Sequence, residues 1–519
     1  MTTPNPYLDQ VHAALPRVLA LFDRNPASPT LGQGDRFWWA WKWIDFGNGT
    51  FQGAAHGLAR LVSAGLLPSW LPEESAVERI MEMFAGARGI TRPNGSMEEA
   101  FPNESSFCVT ALVAFDLLNA LDLLGPRLSS GQRKFCLDTV RPLIAFLSVN
   151  DEEHGFISNH LATAAAALVL WTDLSGLPGE ERGRLIWESI RRCQSSEGWF
   201  LEYQGADPGY QTLCTYYLAA LHRLRPGWGI REPLARSIVF LSHFIHPDGS
   251  LGGLYGSRNT RFHYPAGLEF LADDIPEAAA IAAFMRSSVA NQTVVTLAAM
   301  DEPNLMPMFN AYCWAAAVTA AGRPVPPQAP PLPCHTPGSW RRRFDEAGLL
   351  VDKGPDHYTV VSWHKGGVVS HFRPGSRRLD AGVLLKDHKG GQHSSQAFQP
   401  DNEVSLDGDC LTVTAPLCAV RMESPTPIKF FLLRLFCLTV FRSARLGNLV
   451  KRALVRHLIT ARKPTGLILR RVIRLGPELS IEDRLQGCAT GFQRLEPVRP
   501  FSAIYMASQG YWQRQDDQP

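Results

Sequence analysis

Up to residue 322 the apolar positions gather in stretches of helical length, and polar residues collect in short turns between them. Leu161–Trp171 and Thr215–Leu224, rich in Ala and Leu, predict helices. The opening MTTPNPYLDQVHAALPRVLALFD spaces its apolar residues as an amphipathic helix does. It lacks the basic n-region and cleavage site of a signal peptide. Glycine turns recur at Asn94-Gly95-Ser96, His154-Gly155-Phe156, Glu197-Gly198-Trp199 and Asp248-Gly249-Ser250, every 43 to 60 residues. That period fits one helical hairpin with its loops and predicts stacked helix pairs.

The texture changes after Gly322. Six prolines between 324 and 333 exclude helix and central strand and mark a linker over 323–340. Beyond it Tyr358–Trp363, Gly367–Phe372 and Cys410–Thr414 are short, β-branched and bounded by turn residues, as antiparallel strands are. Helices followed by strands predict a multidomain α-then-β chain: a helical domain over 1–322 and a β domain over 341–519. One stretch departs from both textures. Ile428–Phe441 is very apolar, and it leads into a run of Arg and Lys, with no acidic residue from 428 to 474. It predicts a basic helical insertion near 428–460. Its apolar side either packs on the β domain or holds the protein at an anionic membrane surface.

Composition narrows the classes. The 519 residues carry 51 Lys+Arg against 49 Asp+Glu, a balance without the global basic footprint of a nucleic-acid binder. Ten scattered cysteines form no CxxC or Cys/His cluster of zinc spacing, so neither a metal nor a cofactor is expected, and the thiols suit a reducing compartment. No uninterrupted apolar run reaches the ~20 residues of a membrane span. The expectation is a cytoplasmic protein, peripheral to the inner membrane leaflet if the insertion binds lipid.

Polar side chains stand at helix starts. Pro102-Asn103-Glu104-Ser105-Ser106, Ser158-Asn159-His160, Asp207-Pro208-Gly209-Tyr210 and His263-Tyr264-Pro265 each precede an apolar helix. In a closed ring of hairpins the inner helices run parallel and their N-termini meet at one rim, which favours an anion. Asn159, His160 and Tyr210 on that rim are candidates to hold a carboxylate and move protons. A second candidate is the loop Asp248–Arg261, where Tyr255 offers a stacking face and Arg258 a bidentate grip, beside Asn259. Trp38, Trp39, Trp41 and Trp199 are either sugar platforms or core.

The Ser158-Asn159-His160 start, followed by Glu197-Gly198, Glu202 and Tyr210, resembles the heparinase II/III-like and alginate-lyase superfamily, whose architecture uronate C5-epimerases of the dermatan type share. Gly34-Asp35-Arg36-Phe37-Trp38-Trp39-Ala40-Trp41-Lys42 and Trp43–Phe46 look like a segment of heparinase-like proteins from bacterial polysaccharide gene clusters. The resemblance implies an N-terminal (α/α) toroid and a C-terminal antiparallel β-sandwich. It implies an enzyme that abstracts the C5 proton of a uronate, as lyase or epimerase. Asn159, His160, Tyr210 and, in the sandwich, His393 would be catalytic; Glu104, Glu202, Tyr255, Arg258, Asn259 and His263 would bind substrate. The partner would be an anionic polysaccharide or a lipid-linked glycan. A glycoside hydrolase built on Glu104, Glu202, Asp207 or Asp248, and a non-catalytic glycan-binding protein, are the alternatives.

Overall fold

The computed structural model describes residues 4–153, 155–322, 329–420, 424–443, 446–447, 449–450, 452–453, 463–487, 491–496, 498 and 509–511. His154, six residues of the linker (323–328) and much of the expected insertion, including 454–462, lie outside them.

The helices are α1 (Pro6–Leu19), a single turn α2 (Arg36–Trp39), α3 (Ala54–Ala64), α4 (Glu73–Ile90), α5 (Phe107–Leu124), α6 (Ser130–Val149) and α7 (Ser158–Ser175). There follow α8 (Glu180–Arg192), α9 (Pro208–Leu224), α10 (Arg231–Ser242), α11 (Ala266–Leu271), α12 (Pro276–Ala290) and α13 (Glu302–Ala320). Neighbour relations close a ring: α3 packs on α5, α5 on α7, α7 on α9, α9 on α11, α11 on α13, and α13 back on α3. The remaining long helices stand outside it. Composition explains the sorting. Inner α7 and α9 are buried almost all round, whereas outer α8 buries only Gly183, Ile186, Trp187 and Ile190.

Inner helix α5 with its following turn, Phe107–Arg127, is long and apolar enough to cross a membrane, which the sequence reading missed. It is the wall of the ring, with 78% of its apolar window buried. Ring packing against both neighbours asks for the same uniform apolarity that lipid would.

The recurring glycine turns each join an outer helix to the next inner one. Gly95 and Gly198 have φ of 84° and 101°, and a Cβ on either would meet a carbonyl oxygen, of Pro142 at 2.2 Å or Arg236 at 2.6 Å. Both carbonyls belong to the outer helix of the next hairpin, so these positions set how closely successive pairs stack.

From residue 340 the chain forms strands. β1 (Trp340–Phe344), β2 (Leu349–Lys353), β3 (Tyr358–Ser362), β4 (Val368–Arg373) and β5 (Ser376–Asp380) make an antiparallel sheet in chain order. The second sheet contains β6 (Leu384–Lys386), β7 (Gln392–Ser394), β8 (Glu403–Asp407), β9 (Cys410–Val420), β10 (Pro464–Arg474), β11 (Ser480–Gln486) and β12 (Gln493–Arg494). Its order is β11-β10-β9-β7-β6-β12, with β8 also on β9. Leu350, Val361 and Val369 of the first sheet meet Leu411, Val413 and Ile473 of the second. The opposite face, with Leu349, Val351 and Val360, joins the core of the helical ring. The first sheet is therefore buried on both sides, and all five residues of β2 are buried. The arrangement is a helical toroid followed by antiparallel sheets.

Strand β9 runs on to Val420, beyond the expected end at Thr414, because Pro416 is accommodated at a break in register between β9 and β10. The β9–β10 connection carries helix α14 (Pro427–Leu438). Cys437 and Phe441 pack it against Phe101 of the toroid, not against the sheets.

Candidate active site

A cleft of about 550 Å³ opens at the rim where the inner helices begin. Its walls come from the toroid, including the starts of α5, α7, α9, α11 and α13, and it contains Asn159, His160, Tyr210 and Glu104.

Local structure explains how the three central side chains get there. The segment before α7 forms a bridge with the segment before α9, Ile157 opposite Glu202. Ser158 donates both N–H and Oγ–H to Leu201 O, and Tyr203 N–H donates to Phe156 O. Helix α7 begins at Ser158 with Ile157 as its cap, so Asn159 lies in the first turn and is not a cap. Its amide is free for other use: Nδ2 donates to Glu202 Oε2 at 2.7 Å, and its backbone N–H to Oε1 at 3.2 Å. Glu202 is wholly buried. Burial pushes its carboxyl well above the usual carboxylate range, against the pull of the two Asn159 donors. Glu202 thus orients Asn159 from behind and is not on the cleft wall.

His160, one residue on, faces the cleft, and its Nδ1 lies 2.8 Å from Glu152 Oε2. Tyr210 sits on the first turn of α9, which Asp207 caps by accepting from Tyr210 N–H at 3.2 Å. Its ring stands edge-on to Phe262, and burial raises its phenol well above the ordinary value. Arg258 moderates that rise. Its guanidinium lies over the ring of Tyr203, 4.5 Å from the centroid, and Tyr203 lines the cleft. Tyr203 holds φ at 60°, as Asn103 (64°) and Asn259 (61°) do in the neighbouring loops. A bulky residue in that region is strained, by an order of 1–3 kcal/mol.

Four expected site residues stand elsewhere. His393 lies on β7 in the second sheet, its Nε2 3.0 Å from Asp387 and its ring against Phe492, and it takes no part in the cleft. The first sheet is what packs on the ring, so a strand of the second is held away. His263 is sealed; burial lowers it to about 3, and neither ring nitrogen has a partner among the described residues. Tyr255 is buried with its hydroxyl 2.7 Å from His246 Nε2, closing the loop against the core rather than presenting a platform. The side chain of Asn259 accepts from Lys365 of the β domain, which also donates to Leu254 O and Gly256 O. This loop is a clamp between the two parts of the chain. Glu197 is another, accepting from the backbone N–H groups of Glu346 and Ala347 at 3.0 Å. Of the proposed platforms, Trp199 is core, and Trp41 is exposed and does not line the cleft.

Glu152 and Tyr203 went unread in the sequence. Glu152 follows the end of α6 with no motif around it. Tyr203 looked like filler between Glu202 and Tyr210, and only its backbone conformation distinguishes it.

Of the carboxylates a hydrolase would use, Glu104 lines the cleft, and Glu202, Asp207 and Asp248 do not. Glu202 and Asp207 are buried and engaged in positioning, and Glu104 accepts from the backbone N–H groups of Glu99 and Ala100. An asparagine at a helix start, a histidine backed by a glutamate and a buried tyrosine are groups that can hold an anion and move protons.

No family model and no curated protein matches the sequence. Solved structures do match in fold. A Streptomyces coelicolor A3 chondroitin AC lyase, solved with chondroitin sulphate, is 11% identical, with a TM-score of 0.52, over 91% of this chain and 67% of that one. A Paenibacillus xanthan lyase is 11% identical (TM-score 0.47) over 80% of this chain and 44% of that one. A heparinase III is 10% identical (0.44) over 91% and 76%. The chain thus shares with chondroitin AC lyase the fold of a helical toroid followed by antiparallel sheets.

Proposed function

We propose that the protein acts on a uronic-acid-containing polysaccharide and removes the C5 proton of a uronate held in the rim cleft. The observation that carries this reading is the convergence of Asn159, His160 and Tyr210 on one cleft at helix N-termini.

A C5–H is weakly acidic because the electron pair it leaves must spread into an already negative carboxylate. Donors on that carboxylate lower the cost. Asn159, with one amide hydrogen given to Glu202, has a second to offer, at the positive end of the α7 dipole. His160 suits the base. Donating Nδ1–H to Glu152 leaves the Nε2 lone pair free, and Glu152 stabilises the imidazolium that forms. Tyr210, a phenol that burial raises further above its ordinary value, suits the acid. In β-elimination the C5 electron pair becomes the C4=C5 bond, the C4–O4 bond breaks, and O4 takes the Tyr210 proton. In epimerisation the proton returns to C5 on the other face and no bond to O4 breaks.

The test is incubation with a panel of polyuronates in heavy water. An unsaturated product assigns a lyase, and deuterium at C5 without cleavage an epimerase. New reducing ends with neither would replace this reading with a hydrolase, and binding without any change with a glycan-binding protein.

A further inference from the structure

The segment 424–453 presents apolar side chains to solvent on a scale seen nowhere else among the described residues. Helix α14 grips the toroid by Cys437 and Phe441, and Asn103 Nδ2 donates to Cys437 O at 2.9 Å. Its other face is bare: Ile428 is 74% exposed, Phe431 67% and Leu438 59%. A second exposed group adjoins it. Trp41 and Trp43 are 91% and 97% exposed. Both hold positive φ, 56° and 62°, a strained backbone that turns two indoles outward. Asp45 joins this turn to α14 through an ion pair with Arg434 at 2.8 Å, and the same guanidinium lies over Phe430 and Phe46. Phe46 and Phe101, which touch the segment, also line the cleft. The apolar surface therefore borders the cleft mouth.

We propose that α14 and the Trp41–Trp43 turn form one surface that docks on an anionic phospholipid bilayer and sets the cleft mouth against the membrane. Charge selects this occupant. Lys42 lies between the two tryptophans, Lys429 and Arg442 are exposed beside the helix, and the sequence from 428 to 474 holds no Asp or Glu. A second copy meeting this face by two-fold symmetry would bring cations against cations. The twelve residues of α14 fall short of the ~20 needed to span, so the helix lies in the interface plane, where tryptophan is favoured. Docking in this pose goes beyond the proton-abstraction reading and does not depend on it. It suits a glycan still attached to a lipid carrier.

Co-sedimentation of the full chain with vesicles of phosphatidylglycerol and phosphatidylcholine tests the proposal. Binding is expected at low salt, release at high salt, and none to pure phosphatidylcholine. Phe431→Ser with Leu435→Ser should weaken binding at least tenfold. Trp41→Asn with Trp43→Asn should do the same, asparagine being chosen because it accepts positive φ. Thermal unfolding of both variants should match the parent, since the side chains removed are exposed. No binding at low salt, binding indifferent to lipid charge, or binding unchanged in both variants would overturn the proposal. So would a concentration-dependent dimer that the same substitutions dissociate while vesicles are ignored.

Discussion

A tyrosine is protonated at neutral pH, and burial raises the Tyr210 phenol still further, which disfavours a tyrosinate base. At neutral pH it is a donor, so its replacement should remove the acid without disturbing the helix start, which Asp207 holds through the backbone. Tyr210→Phe should lower turnover at least ~10²-fold, the low end for a lost general acid or base, with little change in KM. A rate near wild type would remove Tyr210 from the chemistry. Glu202 makes a different prediction. Its folded-state carboxyl titrates above its unfolded value, so its contribution to stability is full below about pH 4.3 and is lost as pH rises through the raised value. Glu202→Gln removes that dependence while keeping an acceptor for Asn159. From pH 5 upward the wild-type Tm should fall relative to the variant, and parallel curves would contradict the assignment. At this scale Asn159, His160 and Tyr210 were legible because polar residues stood where an apolar helix began. His393 does not line the cleft, and a His/Gly-rich strand says nothing about which sheet it joins. Glu152 and Tyr203 reach the cleft through placement that local sequence does not encode.

Elements were legible where one rule governed them. Asp207-Pro208 starts α9 as N-cap and first residue, the glycine turns precede inner helices, and β3 and β4 follow their β-branched runs. Reading failed where two rules competed. The run read as a strand over Cys410–Thr414 continues to Val420, past Pro416, which pairs with Ile468 beside a register shift between β9 and β10. The apolar α5 was not singled out by composition, and burial within a ring and in lipid demand the same residues. The glycine turns give a quantitative check. Gly198→Ala puts a Cβ 2.6 Å from a carbonyl at φ 101°, whereas Gly176 has φ 72° and open space. Gly176→Ala should cost about 1 kcal/mol for backbone strain alone, and Gly198→Ala about 2 kcal/mol or more. Denaturant unfolding of both variants measures the difference, and equal losses would show that hairpin stacking does not press on this turn.

The whole molecule is held by one sheet shared between two cores. Tyr358 donates to His243 O at 2.6 Å across the toroid side, and Arg471, wholly buried, bonds Asp380 and Asp483 between the sheets. Arg471→Ala leaves Asp380 without its cation and Asp483 with Arg494 alone, and should cost about 3 kcal/mol, read as a lowered denaturant midpoint. Because β2 is buried on both faces, toroid and sheets should lose structure in one thermal transition, and two well-separated transitions would contradict that coupling. The toroid rim carries Asn159, His160 and Tyr210, and the reaction proposed for it is removal of the C5 proton of a uronate. Release of label from C5-tritiated polyuronate into water measures that step directly. The account predicts release by the wild type, with losses of at least ~10²-fold in Tyr210→Phe and in His160→Ala. No release from any polyuronate, or release undiminished in both variants, would contradict it.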